Sequence, residues 1–502
     1  MKTSEKKTMY VFHQLAALLM LLTLLGGCVM GPDYQRSAEL APEAYRNTIV
    51  EAPEAATSGT LLADMPWWEM FQDPQLQVLI QTALEHNQDL KIAATRIEEA
   101  RMMLGVAAAD QYPVMGAKGL ASRERTPDSF QSLYLIPGGG DEGGLGYGVA
   151  PARSNYYSAL LELSYEVDLW GRVRRSKEAA RANLLASEET RNTIISSLVT
   201  EVARSYFALL ELDRETEITS NTLSARDKTL ALMESRRDQG VASELEISRF
   251  RAEVAGAKAA LAVLQKQTWQ GENALSILLG QAPQDIARSA GLHEQTLIPS
   301  APAGLPSDLL ERRPDVQAAE QQLIAATANI GAAKAALFPR IALTADYGFQ
   351  SVELQDLLQN DNLGWSIAGA AAQPIFTGKR SWLYYKLVQA RREQALQNYH
   401  KTVLQALHEV SDALIAKKQS ALEREQREVQ VEAIQNAVRL SGLRYRAGHA
   451  GYLELLDAEQ QLYAAELLLE RACLEELLSS IRLYKALGGG VETPPASEIA
   501  AD

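Results

Sequence analysis

Two acidic residues, Glu454 and Asp457, follow a glycine-containing bend in the stretch RYRAGHAGYLELLDAEQ, residues 444–460. Their spacing of three places both carboxylates on the same side of a helix. In a three-fold assembly each position would become a ring of three carboxylates, which repels anions and attracts cations in a constriction. The same acids would also suit an ordinary solvated helix surface. Whether the two acids form a charged constriction or a solvated helix surface therefore depends on the predicted structure of the surrounding chain.

Other residue patterns give little support for catalysis. A GxGxxG pattern begins at Gly138, but no helix pattern follows it and Pro151 comes soon after, which is typical of a loop. His400 and His408 are eight residues apart, which is not the spacing of a ligand pair. The sequence shows no nucleophile–base cluster and no Walker loop. We expect neither an enzyme nor a bound cofactor or metal.

Composition and charge exclude further classes of protein. The chain has 502 residues and a formal net charge of −14, whereas a nucleic-acid partner requires a basic surface. Its two cysteines, Cys28 and Cys473, imply no disulfide framework. Cys473 lies in an Ala/Leu-rich helical run and is predicted to be a small core residue.

The N-terminus predicts export and lipid attachment. Lys2, Lys6 and Lys7 precede an apolar segment that ends at Leu25-Gly26-Gly27-Cys28. A short apolar core that ends in small residues is an export signal and not a spanning helix. Small residues before Cys28 resemble the bacterial lipoprotein cleavage box; an ordinary signal peptide with an incidental cysteine is the alternative. The resemblance implies that Cys28 carries a diacylglycerol and an N-acyl chain, which together anchor stably.

The chain contains two internal repeats. Residues 88–113 align without a gap with residues 314–339 at an offset of 226, and residues 236–261 align with residues 444–469 at an offset of 208. Because the second offset is smaller than the first, the first repeat contains an insertion between the two aligned segments. We place this insertion in the glycine-rich segment 126–154 and predict that it is a loop.

Each repeat is predicted to contain a helix, two strands and a helical hairpin, in that order. Proline is absent between Ala152 and Ala282 and between Ile375 and Thr493, which permits very long helices. Apolar residues recur at spacings of three and four, with a seven-residue rhythm in places, which indicates coiled-coil packing. Gly240 and Gly448 are predicted to turn the two hairpins, since glycine adopts the left-handed backbone that such reversals need.

Four segments of about ten residues alternate between apolar and polar side chains. They are residues 114–123, 157–168, 341–350 and 364–374. This length and pattern suit membrane barrel strands around an aqueous lumen, with a two-sided soluble sheet as the alternative. Four strands cannot close a barrel, and lipid does not tolerate open sheet edges. The chain must therefore oligomerise. A dimer would supply eight strands and a trimer twelve, and a wide pore favours the trimer.

Several long strings resemble the outer membrane factors of tripartite efflux pumps, in the lipoprotein branch called NodT, within the TolC-like superfamily. Besides Cys28, the strings are GPDY (31–34), WWEMFQDPQL (67–76), YEVDLWGRVRR (165–175), LLERRPDVQAAE (309–320), QPIFTGKR (373–380) and YLELLDAEQ (452–460). The resemblance covers nearly the whole mature chain. It implies a homotrimeric twelve-stranded barrel in the outer membrane, continued by a long α-helical coiled-coil tunnel in the periplasm.

The resemblance also implies the function and the partners. The expected partners are a periplasmic adaptor protein, which meets the tips at Gly240 and Gly448, an inner-membrane pump of the resistance-nodulation-division type, and outer membrane lipid. Small toxic compounds or ions would leave passively through the lumen. A type I protein-secretion duct and a non-conducting structural envelope lipoprotein remain alternatives.

The resemblance assigns roles near the second hairpin tip. Asp457 lies in the string that best matches an acidic ring that narrows the closed tunnel, and Glu454 forms a second layer. Some relatives link neighbouring helices shut with a tyrosine near the tip and an arginine five residues later. Tyr445 fits the tyrosine position, but Ala450 replaces the arginine. We therefore expect the link to be absent or rebuilt from Arg444 or Arg446, with Glu246 as a further possible member.

These patterns divide the chain into six predicted segments. They are a signal peptide (1–27), a lipidated N-terminal segment with an equatorial region (28–85), a first repeat (86–281), a linker (282–312), a second repeat (313–488) and a flexible C-terminal tail (489–502).

Overall fold

The structure is a computed structural model that describes residues 29–36, 62–125, 127, 133–137, 145–149, 153–295 and 309–491. The predicted signal peptide, Cys28, much of the predicted linker and most of the C-terminal tail lie outside these residues. The chain divides into two compact units. The first contains residues up to Gln35, Arg101–Ala182 and Ile324–Gln394, and the second contains the remaining residues.

Long helices dominate the described residues. The helices are α1 (Trp67–Met70), α2 (Pro74–His86), α3 (Gln88–Ala109), α4 (Arg172–Asp238), α5 (Glu244–Leu278), α6 (Leu309–Arg312), α7 (Pro314–Ala335), α8 (Arg380–Arg446) and α9 (Tyr452–Ala486). The strands are β1 (Val114–Arg125), β2 (Leu133–Pro137), β3 (Leu145–Val149), β4 (Arg153–Val167), β5 (Arg340–Ser351) and β6 (Leu363–Ala372). The 3₁₀ turns are Leu62–Asp64, Leu292–Glu294, Leu354–Asp356 and Asn360–Asn362.

The first unit contains an antiparallel sheet in the order β1-β4-β5-β6. Its register places Leu161 opposite both Ala117 and Tyr347, and Tyr347 opposite Trp365. Because side chains alternate along a strand, Ala117, Leu161, Tyr347 and Trp365 share one face. The other face carries Glu162 opposite Asp346, and Lys118 forms an ion pair of 3.2 Å with Glu162. The alternation read from the sequence therefore becomes one apolar and one polar face.

The insertion in the first repeat is not only a loop. Residues 126–154 were predicted to be a glycine-rich loop, but β2 and β3 pair within this segment, with Leu135 opposite Tyr147. Alternating leucine, tyrosine and valine residues favour strands here even though glycines interrupt them. The GxGxxG residues lie between these strands and outside the described residues.

In the first unit, the N-terminal segment crosses helix α7 at a glycine. A Cβ atom on Gly331 would overlap the carbonyl oxygen of Met30 and would come within 2.8 Å of Cγ of Arg175. The backbone N–H of Met30 donates to the carbonyl of Trp170 at 3.1 Å. The guanidinium of Arg175 donates to the Met30 carbonyl and forms a 2.6 Å ion pair with Asp33. The buried Arg175 side chain therefore holds this segment against the helix.

The core of the second unit lies along α4, α2 and α9. The predicted seam of α4 is buried: Ile195, Val199, Val202, Tyr206 and Leu209 are all at most 1% exposed. Among the described residues, α4 is the one helix with a stretch apolar enough to cross a membrane, and 61% of that stretch is buried within the chain's own fold. We therefore assign the apolar character of α4 to this core.

The first strand and the two long helices have the same lengths in both repeats. Strands β1 and β5 are 12 residues long at an offset of 226, whereas α4 and α8 (67 residues each) and α5 and α9 (35 residues each) correspond at an offset of 208. Even an unusual backbone conformation repeats. Gly171 has φ +77°, and the equivalent Lys379 has φ +67° although it carries a side chain. The repeats detected in the sequence are therefore repeats of structure.

A cluster of buried acids lies between α4 and α9 in the second unit. Glu211, Glu215 and Glu470 are each less than 10% exposed. Arg471 Nε lies 3.0 Å from Glu215 and 3.9 Å from Glu211. Glu470 contacts Arg214 at 3.4 Å. Burial, followed by the charge of Glu215 and a hydrogen bond with Glu215, raises the pKa of Glu211 to about 7.

We expect the stability of the protein to fall between pH 4.5 and pH 7 because of Glu211. In this window the unfolded chain has released the Glu211 proton while the folded protein retains it, so rising pH favours unfolding. Glu211→Gln should remove about 2 kcal/mol of this pH dependence. The thermal midpoint measured from pH 5 to pH 8 tests this. The exposed Glu217→Gln change on the same helix is the control and should leave the slope unchanged.

Candidate functional site

The candidate site consists of the turns that close the two helical hairpins in the second unit. Helices α4 and α5 join at residues 239–243, and α8 and α9 join at residues 447–451. Gly240 has φ +76° and Gly448 has φ +74°. In the first turn, Val241 N–H bonds to the carbonyl of Arg236; in the second, His449 N–H bonds to the carbonyl of Arg444. Both helices therefore end in the same Schellman motif, which requires a left-handed residue.

The helices after the two turns begin differently. Ser243 and Glu246 form a capping box at the start of α5, in which Glu246 accepts from the backbone N–H of Ser243 at 2.7 Å. This backbone hydrogen bond, followed by the Ser243 hydroxyl, lowers the pKa of Glu246. At the equivalent start of α9, Gly451 provides no side-chain cap. The structure thus places Glu246 as a helix cap.

Tyr445 connects the two hairpins. Its hydroxyl accepts a hydrogen bond of 2.7 Å from the guanidinium of Arg236, which lies on α4. The Tyr445 ring meets the Tyr452 ring edge to face at 5.4 Å, and Tyr452 packs on Phe250 at 4.6 Å. Phe250 is buried together with Met233 and Ile247. This aromatic cluster joins all four helices near their ends, since its members lie on α4, α5, α8 and α9.

The two candidate ring acids are exposed and have different neighbours. Glu454 forms an ion pair of 3.1 Å with Arg444. Asp457 accepts a hydrogen bond of 2.6 Å from the amide of Gln461, one turn later on α9. A neutral amide leaves the charge of Asp457 in place, whereas Arg444 offsets that of Glu454. Asp457 is therefore the stronger source of negative potential at this site.

Further contacts tie the hairpins together above the turns. Gln460 donates to Glu253 at 2.8 Å, and the hydroxyl groups of Tyr463 and Thr219 lie 3.1 Å apart. Tyr452 donates to Glu459, whose pKa is raised by burial. Burial likewise raises the pKa of Tyr452. Both groups therefore favour their neutral forms, which suits a contact between packed helices.

The remaining predicted residues have simpler positions. Arg446 is exposed, and Ala450 is half-buried beside the second turn. Cys28 lies outside the described residues. No group of three or more histidine, cysteine or acidic residues is arranged to hold a metal ion within the described part of the chain.

The sequence analysis missed the partner of Tyr445. It suggested Arg444 or Arg446 as replacements for the missing arginine, but Arg444 pairs with Glu454 and the tyrosine bonds to Arg236. Arg236 entered the sequence analysis only as the repeat equivalent of Arg444. The arginines at both tips were the available signal, but their pairing across two hairpins 209 residues apart depends on tertiary packing.

Comparison with known proteins agrees with this architecture. The profile of the outer membrane efflux protein family matches residues 79–281 and 305–489. The antibiotic efflux pump outer membrane protein ArpC of Pseudomonas putida is 37% identical over 478 residues, which cover 93% of each chain. The chain belongs to the outer membrane efflux protein family. Like its relatives, it is the outer membrane channel component of an efflux system.

Two further matches extend the family assignment. The probable outer membrane lipoprotein SilC of Salmonella typhimurium is 32% identical over 469 residues, which cover 93% of this chain and 96% of SilC. The open-state crystal structure of the MtrE outer membrane channel of Neisseria gonorrhoeae matches with a TM-score of 0.79 and 32% identity. That match covers 93% of this chain and 99% of MtrE. These matches confirm the outer membrane location and the predicted fold class, a trimeric twelve-stranded barrel with a helical tunnel.

Proposed function

We propose that three copies of this efflux protein form a passive exit duct for small toxic compounds or ions. The observation that carries the proposal is the sheet β1-β4-β5-β6 with its apolar face and its two edges, β1 and β6, with which no other strand of the described residues pairs. An exposed apolar face is stable when it contacts lipid. Within lipid the backbone N–H and C=O groups of the edge strands must be paired, since no water is present to hydrogen-bond them. The helical hairpins would continue the conduit into the periplasm.

The partners follow from this arrangement. We propose that a periplasmic adaptor contacts the tips at Gly240 and Gly448, and that an inner-membrane pump of the resistance-nodulation-division type supplies the energy. The duct itself would perform no catalysis. ArpC is named for antibiotic efflux, which supports a toxic small molecule as the exported compound for this chain as well.

Lipid attachment at Cys28 belongs to the same proposal. The relative SilC is named as a lipoprotein, and the first described residues lie next to the barrel strands. Val29 lies beside Gly171, four residues after the end of β4, since a Cβ atom added to Gly171 would lie 3.2 Å from the Cα of Val29. Acyl chains on Cys28 would therefore begin beside the barrel end, where they can enter the membrane.

Conductance in a planar bilayer tests the duct. The purified, lipidated protein should form ion-conducting pores, and Asp457→Asn should raise conductance and weaken cation preference because a ring of three charges is removed. Gln461→Asn, which keeps the net charge, is the matched control. A protein that inserts but conducts in neither form contradicts the duct and favours a structural lipoprotein. An adjacent gene for an ABC exporter would favour protein secretion.

We propose that the Arg236–Tyr445 bond stabilises the closed state of the tips. Exposed polar links of this kind contribute about 0.5–1 kcal/mol each. Three copies would then shift the opening equilibrium roughly tenfold or more, since about 1.4 kcal/mol corresponds to a factor of ten. Arg236→Ala and Tyr445→Phe should therefore both increase the open probability in single-channel recordings.

The neighbouring arginine provides the control for this prediction. Arg237 pairs with Asp238 at 2.9 Å and with Glu244 at 3.9 Å, and both partners lie in the first hairpin. Arg237→Ala removes the same charge from the same turn, so it should leave the open probability near that of the wild type. If Arg237→Ala raised the open probability as much as Arg236→Ala while Tyr445→Phe had no effect, charge at the tip, and not the hydrogen bond, would control opening.

A further inference from the structure

Three side chains with metal-binding chemistry meet where the segment between the two repeats contacts α9 in the second unit. His293 lies in the 3₁₀ turn Leu292–Glu294, and Glu470 and Cys473 lie one turn apart on α9. The Sγ atom of Cys473 lies 4.0 Å from Nδ1 of His293. Nε2 of His293 lies 3.0 Å and 2.9 Å from the two carboxylate oxygens of Glu470. The imidazole therefore lies between a thiol and a carboxylate.

Glu470 determines which nitrogen of the imidazole faces the sulfur. This acid is 3% exposed, and its carboxylate accepts the hydrogen bond from Nε2 of His293. Nδ1 is therefore the nitrogen that faces Cys473 and that can give up its hydrogen to a metal ion. In proteins, a histidine that binds a metal usually donates its second N–H to a carboxylate in this way. The buried acid is thus placed where a metal site needs a supporting group.

The separation of the sulfur and the nitrogen suits coordination by two ligands. Bonds of about 2.0–2.3 Å, such as nitrogen and sulfur make to zinc, place two donor atoms on opposite sides of an ion about 4 Å apart. The 4.0 Å between Cys473 and His293 matches this separation. Zinc needs further ligands, and within the described residues no third histidine, cysteine or acidic side chain completes such a set. Copper(I) and silver(I) commonly bind two ligands on opposite sides of the ion.

We propose that Cys473 and His293 form a two-ligand site for a soft monovalent metal ion, Cu⁺ or Ag⁺. Thiolate sulfur is the ligand that such ions prefer, and imidazole is a frequent ligand of copper. The ion connects the turn that follows the first repeat to α9 of the second repeat. None of these residues belongs to the hairpin turns, so the site is separate from the candidate gate and does not depend on the proposed duct.

The site already holds positive charge in the absence of a metal. The hydrogen bond with Cys473, followed by that with Glu470, raises the pKa of His293 to about 10, so the ring carries a proton on both nitrogens at neutral pH. A metal ion that binds Nδ1 displaces one proton and keeps a positive charge beside Glu470. Hard ions such as Mg²⁺ and Ca²⁺ prefer oxygen ligands and do not compete for this position. Ions that bind sulfur and imidazole tightly do.

The exposure of the two ligands allows an ion to enter. Cys473 is 8% exposed, whereas the side chain of His293 is 46% exposed, so an ion reaches the sulfur past the imidazole. Without a metal, the pair is a core cysteine in contact with a histidine, which is the role that the sequence analysis predicted for Cys473. The two interpretations differ in one measurable respect. Only a metal site requires His293 and Glu470 to affect the binding of the ion.

Titration of the purified full-length protein with Cu⁺ in oxygen-free buffer, against a colorimetric copper chelator, tests the site. Cys473→Ser should take up one Cu⁺ per chain fewer than the wild type, and Cys28 is present in both proteins. Glu470→Gln should weaken the affinity about 10–100-fold, the usual effect of losing such a supporting group. His293→Gln removes a ligand and should weaken it at least as much. The X-ray absorption spectrum of copper at this site should show one sulfur and one nitrogen ligand.

The controls separate a built site from a thiol that binds copper by itself. His408 also pairs with an acid, Asp412 at 3.4 Å, and both side chains are exposed, so His408→Gln should bind Cu⁺ as the wild type does. Wild-type affinity in His293→Gln would show that the thiol alone holds the ion. Unchanged uptake by Cys473→Ser would show that the ion binds elsewhere, and either result overturns the proposal. The spectrum of the wild type needs no variant, so a sulfur-only spectrum also overturns it.

Discussion

Replacing Arg313 by leucine should lower the free energy of unfolding by about 1–3 kcal/mol, the usual cost of leaving a buried polar group without its hydrogen-bond partner. The Arg313 side chain is 8% exposed and lies at the start of α7. It donates to both oxygens of Asp315, to Glu409 at 2.7 Å and to the carbonyl of Ala486 at 3.0 Å. One guanidinium thus joins α7, α8 and the end of α9.

The physical reason for this large effect is the loss of a shared cation. Without Arg313, Asp315 and Glu409 keep their negative charges without the guanidinium between them, and the Ala486 carbonyl loses its donor. Leucine fills much of the volume but offers no hydrogen bond, so the cost of burying the Ala486 carbonyl is no longer offset, while the partly exposed Asp315 and Glu409 lose their shared cation. The loss should appear as a lower thermal midpoint in detergent and as a reduced yield of folded protein.

The adjacent Arg312 is a matched control for the same substitution. Its guanidinium forms one ion pair of 2.7 Å with Asp64, and the two side chains are 32% and 50% exposed. Partly exposed pairs of this kind contribute about 0–1 kcal/mol. Arg312→Leu should therefore change the free energy of unfolding by no more than that. Equal losses from the two variants would contradict the assignment of Arg313 as the central cation.

Replacing Gly331 by alanine should destabilise the protein by about 1–3 kcal/mol, the range for overpacking a tight contact. A new Cβ would overlap the Met30 carbonyl oxygen and press against Arg175, whose Nε would lie only 2.9 Å away. The backbone of the N-terminal segment cannot rotate away as a flexible side chain could. We expect faster hydrogen exchange at Met30, whose amide bonds to Trp170, together with a lower thermal midpoint.

The repeat supplies an internal control in which the same change should have the opposite sign. Gly105 is the equivalent of Gly331 in helix α3, and a Cβ there would meet nothing within 4 Å. Alanine favours a helix interior over glycine by about 0.5–1 kcal/mol. Gly105→Ala should therefore raise the thermal midpoint slightly. Destabilisation of similar size at both positions would contradict the crossing at Gly331 as the cause.

Several features of this protein could be predicted from local sequence patterns. The alternation in residues 157–168 predicts strand β4, and the absence of proline over more than 100 residues permits the 67-residue helices α4 and α8. The glycines at 240 and 448 predict the two turns. These features depend on the backbone preferences of single residues and on the periodic spacing of buried residues. Both can be recognised within a short stretch of sequence. The repeat offsets also came from the sequence, and the structure gave the same offsets.

The sequence analysis reached the candidate site only in part. Glu454 and Asp457 could be placed on one side of a helix from their spacing, but the pairing of Glu454 with Arg444 and of Asp457 with Gln461 could not. Their assignment to a gate is still a prediction that conductance must test. The strand pattern within residues 126–154 was missed because glycines interrupt it, which weakens the local strand signal.

The sequence by itself determined the long helices, the four strands of the main sheet and the need for partner copies, because these depend on the periodicity of neighbouring residues and on the unpaired groups of strand edges. Only the tertiary structure decided which equivalent residues differ in role. Gly331 receives the N-terminal segment while Gly105 stays open, and Arg236, not Arg444, bonds to Tyr445. Such choices depend on contacts between residues more than one hundred positions apart. Local sequence patterns do not predict these contacts, because equivalent positions of the two repeats have similar sequences. They differ only in the residues that pack against them in the folded protein.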